Sequence, residues 1–211
     1  MYIPRSFEVT DPSALHAFME RHSFATLVSA SEGEPFSTHL PLLLDREVSL
    51  HGRLIGHMAR PNPQWKAAAG TRVMAIFHGP HAYISPTWYE TNETVPTWNY
   101  AAVHAYGVMT LIENTTRLRE IVDRTVNVYE QSMPEPWSMS VVPEANVESL
   151  LKGIVGFEIV IDRLEGKWKL NQNHPLERRE KVVRGLEATG RPDDAAVAQL
   201  MREQIHSETH P

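Results

Sequence analysis

Four stretches of this 211-residue chain carry side chains that could hold a ligand. The first is Gly56-His57-Met58-Ala59-Arg60-Pro61-Asn62-Pro63-Gln64-Trp65-Lys66, where a strand ends and a short helix begins. Backbone amides at a helix start attract an anion, and His57, Arg60 and Lys66 lie close by. Arg60 would give a phosphate charge-assisted hydrogen bonds. A polar turn with solvated charges explains the same spacing equally well. The second and third stretches, His78 to Tyr89 and Val95 to Tyr100, place Trp88, Tyr89, Trp98 and Tyr100 in close succession with Ser85, Thr87, Thr97 and Asn99. Flat apolar surfaces with a few oriented polar groups suit a planar heterocycle. Composition alone favours an aromatic core with turn residues. The fourth, Lys167-Trp168-Lys169-Leu170-Asn171-Gln172-Asn173-His174, offers amides and lysines to a ligand's ring edge. Locally, capping of a helix that starts near Pro175 is the stronger reading.

Other chemistries find little support. The chain has no cysteine, which excludes disulfides, thiolate metal sites, Fe–S clusters and cysteine nucleophiles. There is no HExxH, GxSxG, GxGxxG or Walker loop, so no catalytic residue and no metal ligand is singled out. Asp45, Asp123 and Asp162 form no paired-carboxylate motif. Eleven histidines are many, yet they stand singly and read as hydrogen-bonded or surface imidazoles. A net charge of −6 leaves no basic footprint for nucleic acid. No apolar run is long enough to cross a bilayer, and the N-terminus lacks the features of a signal peptide. A soluble, cytoplasmic protein with no membrane partner is expected.

The elements that must position these stretches are mostly strands. Asp11-Pro12 caps a helix reaching about His22. Phe24 to Ser29, Phe36 to Leu44 and Glu47 to His57 read as strands, with turns at Ser31-Glu32-Gly33-Glu34 and Asp45-Arg46. Gln64 to Ala69 reads as a short helix. Arg72 to His78 and His81 to Ser85 read as two strands separated by a Gly79-Pro80 turn. Thr97 to Ile112 is long enough for one bent strand, with Gly107 marking a bulge. Asn114 caps a helix carrying Leu118, Ile121, Val122 and Tyr129. Glu144 to Leu151, Pro175 to Ala188 and Asp193 to Ser207 are further helices, and Gly153 to Leu164 is a last core strand with a polar continuation over Trp168 to Asn173. Six or seven strands at short spacing, with no room for crossover helices before Leu50, favour a closed or nearly closed antiparallel barrel with peripheral helices.

These stretches, in this order, resemble the FMN-binding negative transcriptional regulators of the PaiB type. The likeness begins at Met1-Tyr2-Ile3-Pro4 and Thr38-His39-Leu40-Pro41-Leu42-Leu43, and runs through Gly56 to Arg60 with Asn62-Pro63-Gln64-Trp65. It is strongest at Gly79-Pro80-His81, Tyr83-Ile84-Ser85-Pro86, Trp88-Tyr89 and Val95 to Tyr100, and returns at Lys152 to Phe157 and Lys169 to Asn173. Asn171 departs from it, standing where the family's pattern has serine. The resemblance implies an α+β, mainly β fold: an antiparallel, Greek-key-like FMN-binding split β-barrel with peripheral helices over residues 1–190, followed by a helical extension over 191–211. It implies a homodimer with FMN between the subunits. The strand end around His57 to Asn62, with Met58, Ala59 and Arg60, would hold the phosphate, and His39 and Trp65 would also belong to the cofactor site. Ser85, Trp98, Asn99 and Tyr100 would line the isoalloxazine or ribityl region, and Lys169 and Gln172 would close the pocket. A flavin-dependent or flavin-sensing repressor, acting on DNA directly or through a regulatory protein, is the implied function. The alternative is an FMN-dependent oxidoreductase of the pyridoxine-phosphate-oxidase or flavin-reductase class. Haem handling, with His39, His57, His78, His81 or His104 as an axial ligand, ranks below both.

Overall fold

Two signals visible in the sequence set the helices that frame the sheet. The Asp11 carboxylate accepts from the amides of Ser13 and Ala14 at 3.2 and 3.1 Å, and α1 (Pro12–Arg21) follows. The Asn114 side chain accepts from the Arg117 amide at 2.9 Å, and α3 (Thr115–Glu130) follows. The computed structural model describes residues 1–31, 33–89 and 94–209. Its remaining elements are β1 (Glu8–Val9), β2 (Phe24–Ser31), β3 (Glu34–Pro41), β4 (Leu43–Asp45), β5 (Arg53–Ala59), α2 (Gln64–Ala68), β6 (Arg72–Ile84), β7 (Thr97–Ile112), α4 (Glu144–Leu151), β8 (Ile154–Lys169), α5 (Leu176–Ala188) and α6 (Pro192–Thr209).

The residues fall into two compact units. One comprises Met1–Leu15, His78–Val103 and Glu165–Pro211, the other His16–Phe77 and His104–Leu164. In the second unit the strand order is β3-β2-β6-β7-β8-β5-β4. The β2–β3, β2–β6, β4–β5 and β5–β8 pairings are antiparallel. The ladder is an open path ending at β3 and β4, rather than a closed ring. In the first unit the later parts of β6 and β7 and the end of β8 continue, and β1 pairs antiparallel with β8. The architecture is thus α+β with an antiparallel sheet, as expected.

Each unit has its own core. In the first, Ala82, Ile84, Tyr89 and Leu170 pack on Val182, Val183 and Leu186 of α5 and on Val197, Ala198 and Met201 of α6. Gly185 lets α5 lie against Trp88, for a Cβ there would sit 2.5 Å from the indole. In the second unit Ile55 and Leu43 pack on Ile121 of α3, and Leu118 packs on Val147 and Leu151 of α4.

Several strand limits differ from the expected ones. Phe36 to Leu44 is two strands, β3 and β4, interrupted at Leu42. The strand expected from Glu47 starts only at Arg53, after a turn. Conversely, Gly79-Pro80 makes no turn, and β6 runs through it. The β2 pairing of β6 involves Met74 to Ile76, so Pro80 lies beyond it, where a missing amide interrupts no recorded pair with β2. The last strand extends to Lys169 because Glu8 and Val9 pair with Lys167 and Gly166. Of the turn expected at Ser31 to Glu34, Glu32 lies outside the described residues, while Gly33 has a φ of +86° that suits glycine.

Gly107 sits within the unbroken β7. A Cβ there would stand 2.2 Å from the Val160 carbonyl oxygen and 2.8 Å from Ile159 Cγ2. The neighbouring backbone cannot easily yield, so Gly107→Ala is expected to destabilise the protein by about 2 kcal/mol. Urea unfolding followed by circular dichroism measures this, and an unchanged midpoint would refute the close approach.

Candidate functional site

The strand end in the second unit is built around Asn62. Its side-chain nitrogen donates to Thr38 Oγ1 at 2.8 Å, and its side-chain oxygen accepts from the Gln64 amide at 2.9 Å. One residue thus ties β3 to the turn and starts α2. Gln64 is buried and donates to the Leu27 carbonyl and to Ser29 Oγ, both at 3.0 Å. Arg60 closes the turn from the other side, with its Nε donating to the Lys152 carbonyl at 2.6 Å and its Nη2 to the Ile154 carbonyl at 2.8 Å. The Arg60 carbonyl accepts from Trp65 Nε1 at 2.9 Å.

Most of the helix-start amides are committed to the chain itself. The Asn62 amide donates to the Ala59 carbonyl, that of Gln64 to the Asn62 side chain, and that of Lys66 to the Pro63 carbonyl. Pro61 and Pro63 have none to give. What remains is a set of side chains. Arg60 keeps its Nη1, Lys66 lies 5.3 Å from the Trp65 ring centroid, His39 is exposed with Nδ1 at 3.0 Å from Thr26 Oγ1, and His57 is half-buried. Burial pushes the His57 pKa down, which favours the neutral imidazole. This set contains no carboxylate and is chemically suited to a phosphate. Met58, in contrast, turns into the core, where it is 4% exposed. A cavity of about 480 Å³ also borders Arg60 and Trp65, but Glu113 and Glu148 line it, which makes it a poor place for an anion.

In the first unit an aromatic face is open. Trp98 is 53% exposed, and its ring lies 6.0 Å from those of His81 and Tyr83. Tyr100 packs under Lys167, whose Nζ is 5.1 Å from the ring centroid. Lys169 Nζ donates to the Trp98 carbonyl at 2.5 Å and also to Thr97 Oγ1. An electron-rich indole beside an ammonium group is a suitable platform for an electron-poor planar ring.

Other expected site residues hold the backbone instead. Ser85 Oγ accepts from the Thr87 amide at 3.3 Å at the start of a short helical turn over Pro86–Tyr89. Gln172 accepts from the Leu170 amide at 2.7 Å and donates to the Trp168 carbonyl at 2.6 Å. Asn99 is fully buried, and its nitrogen reaches Met201 Sδ at 3.5 Å. Sequence reasoning missed the partner of Asn171. That residue has a φ of +65°, which asparagine tolerates well, and its side chain donates to the Tyr89 hydroxyl at 2.7 Å.

The antiparallel sheet with its flanking helices matches the fold of the flavin-binding split-barrel proteins. Comparison with known proteins agrees. The family described as "Putative FMN-binding domain" matches residues 1–163, and the chain belongs to this family, in its PaiB type. FMN is accordingly its cofactor. The Protease synthase and sporulation protein PAI 2 of Bacillus subtilis is 37% identical over 97% of this chain and 98% of its own length. An uncharacterised protein of Emericella nidulans is 34% identical over 80% of this chain and 81% of its own length. Among solved structures, the flavocytochrome Anf3 of Azotobacter vinelandii shares the fold with a TM-score of 0.61 at 14% identity, over 79% of this chain and 72% of that one. The FAD and heme binding protein of Mycobacterium smegmatis shares it with a TM-score of 0.57 at 13% identity, over 84% and 80%. Among the described residues no helix is long and apolar enough to cross a membrane.

Burial holds His22, His57 and His174 below the ordinary imidazole value of 6.5. The unfolded chain therefore takes up protons that the folded chain refuses, and stability should fall as pH drops from about 7.5 to about 5.5. Glu20, held down by its hydrogen bond to Arg46, and Glu208, held down by Arg179, lose their contributions only below 4.5. The window above belongs to the histidines. Urea unfolding across it should show the fall, and His57→Gln should reduce it; an identical pH dependence in the variant would refute the role of burial at His57.

Proposed function

We propose that this protein is an FMN-dependent regulator that works as a homodimer, with each flavin shared between two copies. The phosphate would be held by Arg60 Nη1, with His39, His57 and Lys66 of the second unit around it. Asn62, Trp65, Ala59 and Met58 would fix that strand end rather than touch the phosphate. The isoalloxazine ring would lie on Trp98, flanked by Lys169, in the first unit of the partner copy, with Tyr100, Ser85, Gln172 and Asn99 supporting that surface. The observation that carries this reading is the exposed Trp98 indole beside a half-buried lysine in a chain of an FMN-binding family.

A regulatory role draws on the Bacillus subtilis relative, whose name refers to protease synthesis and sporulation. Helix α5 gives little support to direct DNA contact. Its Arg179 is buried against Glu208, and Lys181 pairs with Glu177 at 3.1 Å. Signalling through a protein partner, or through a change in the dimer, is the route we propose. When bound, FMN supplies reversible electron transfer, and the chain supplies its binding, orientation and electrostatics. An oxidoreductase is the second reading, favoured by the donor-lined pocket around Lys169 and His174.

Flavin absorbance and fluorescence during FMN titration test the proposal. Arg60→Ala should weaken FMN binding about tenfold or more, the cost of one charge-assisted hydrogen bond. Trp98→Ala should weaken it severalfold and shift the flavin spectrum, while Trp98→Phe should do less. Light scattering should show a dimer. Wild-type affinity in both alanine variants would overturn the assignment, and turnover of NADPH by the holoprotein would favour the second reading.

A further inference from the structure

Strand alternation places Lys167 and Lys169 on the same face of β8. Lys167 is 7% exposed and donates to the Tyr2 carbonyl at 3.0 Å. Lys169 donates to Thr97 Oγ1 and the Trp98 carbonyl, which leaves one of its three N–H groups. Just beyond the strand, Arg178 Nη1 lies 3.2 Å from His174 Nδ1. A guanidinium can only donate, so His174 Nδ1 is the acceptor and its Nε2 carries the hydrogen. Among the described residues no carboxylate pairs with Lys167, Lys169 or Arg178. Elsewhere in this unit Glu165 pairs with the N-terminal ammonium and Arg179 with Glu208.

Lys169 and His174 border a cavity of about 420 Å³ lined also by Asn173, Tyr89, Phe7 and Val95, with no acidic side chain among its described lining residues. The Tyr89 hydroxyl accepts from Asn171 and keeps its own hydrogen to give. Lys169, His174, Tyr89 and Asn173 thus supply donors to one end of a pocket. Phe7, Val95 and the Tyr89 ring supply apolar wall. Burial, helped by Lys167, lowers the Lys169 pKa, and burial, helped by Arg178 and Lys169, lowers that of His174.

We infer that this pocket binds a small organic carboxylate, with the carboxylate on Lys169 and His174 Nε2 and an apolar or aromatic body against Phe7 and Tyr89. A monoanion would give Lys169 the carboxylate partner that it lacks among the described residues, and a ring would cover the apolar wall of the pocket. The pocket draws on the first unit alone, so its formation does not depend on where FMN phosphate is held.

Isothermal titration of the full-length, FMN-free protein with benzoate, and with benzamide as the uncharged isostere, tests this. Benzoate should bind saturably and benzamide at least tenfold more weakly. Lys169→Met and His174→Phe should each weaken benzoate at least tenfold, the second keeping a ring against Tyr89. Equal binding of the two probes, or wild-type benzoate binding in both variants, would overturn the proposal. Because Lys169 also flanks the proposed flavin surface, His174→Phe, which the flavin assignment does not use, separates the two sites: it should weaken benzoate and leave FMN binding unchanged, and loss of both would overturn a separate pocket. Failure to bind benzoate with FMN binding intact sinks this inference alone, whereas loss of FMN binding with benzoate retained sinks the flavin-site assignment alone.

Discussion

The strand β8 has to satisfy two cores in succession, and much of the architecture follows from that constraint. Over its first half it pairs with β5 from Ala59 to Arg53, and Val155, Phe157, Ile159 and Ile161 are buried at alternate positions. Over its last residues it pairs with β1, and the alternation now buries Lys167. A strand facing apolar neighbours along its whole length would carry valine or isoleucine there. This one changes character at Glu165, where the chain passes into the other unit, and from that point its polar side chains meet aromatic rings and backbone carbonyls. The cations that mark the first unit follow from this change of neighbours.

Much of the framework was legible because it is written locally. Asp11 and Asn114 announce α1 and α3 through capping chemistry that needs no distant partner. The limits of β7 and α4 agree with the sequence reading because turn or breaker residues flank them. Where a limit depends on a neighbour, the sequence is silent. Pro80 resembles a turn until the β2 pairing is seen to involve only Met74 to Ile76. The last core strand reads as ending at Leu164 until Glu8 and Val9 pair with Lys167 and Gly166. Gly107 suggests a bulge, and its actual reason is the Val160 carbonyl on another strand.

The candidate site divides along the same line. Family motifs single out the stretches, yet a polar side chain at a strand end can serve its own backbone as readily as a ligand. Asn62, Ser85 and Gln172 are committed to amides and carbonyls close in sequence. Arg60 reaches carbonyls about 90 residues away, which no local pattern reveals. The partnerships of Asn171 with Tyr89 and of His174 with Arg178 went unread for the same reason. The same-face spacing of Lys167 and Lys169 was the one available hint, and it gains meaning only once the strand is known to extend that far.

The proline within β6 has a consequence for how this molecule meets others. An unpaired strand edge is an open template, since its amides and carbonyls can accept a further strand from any passing chain. In the first unit β6 runs on beyond its recorded pairing with β2, and Pro80 lies in that stretch without a hydrogen to offer. A strand laid along the side to which residue 80 presents its nitrogen would meet a gap in its ladder. Contact with another chain here is thereby steered toward side-chain recognition, which discriminates among partners, and away from backbone pairing, which does not.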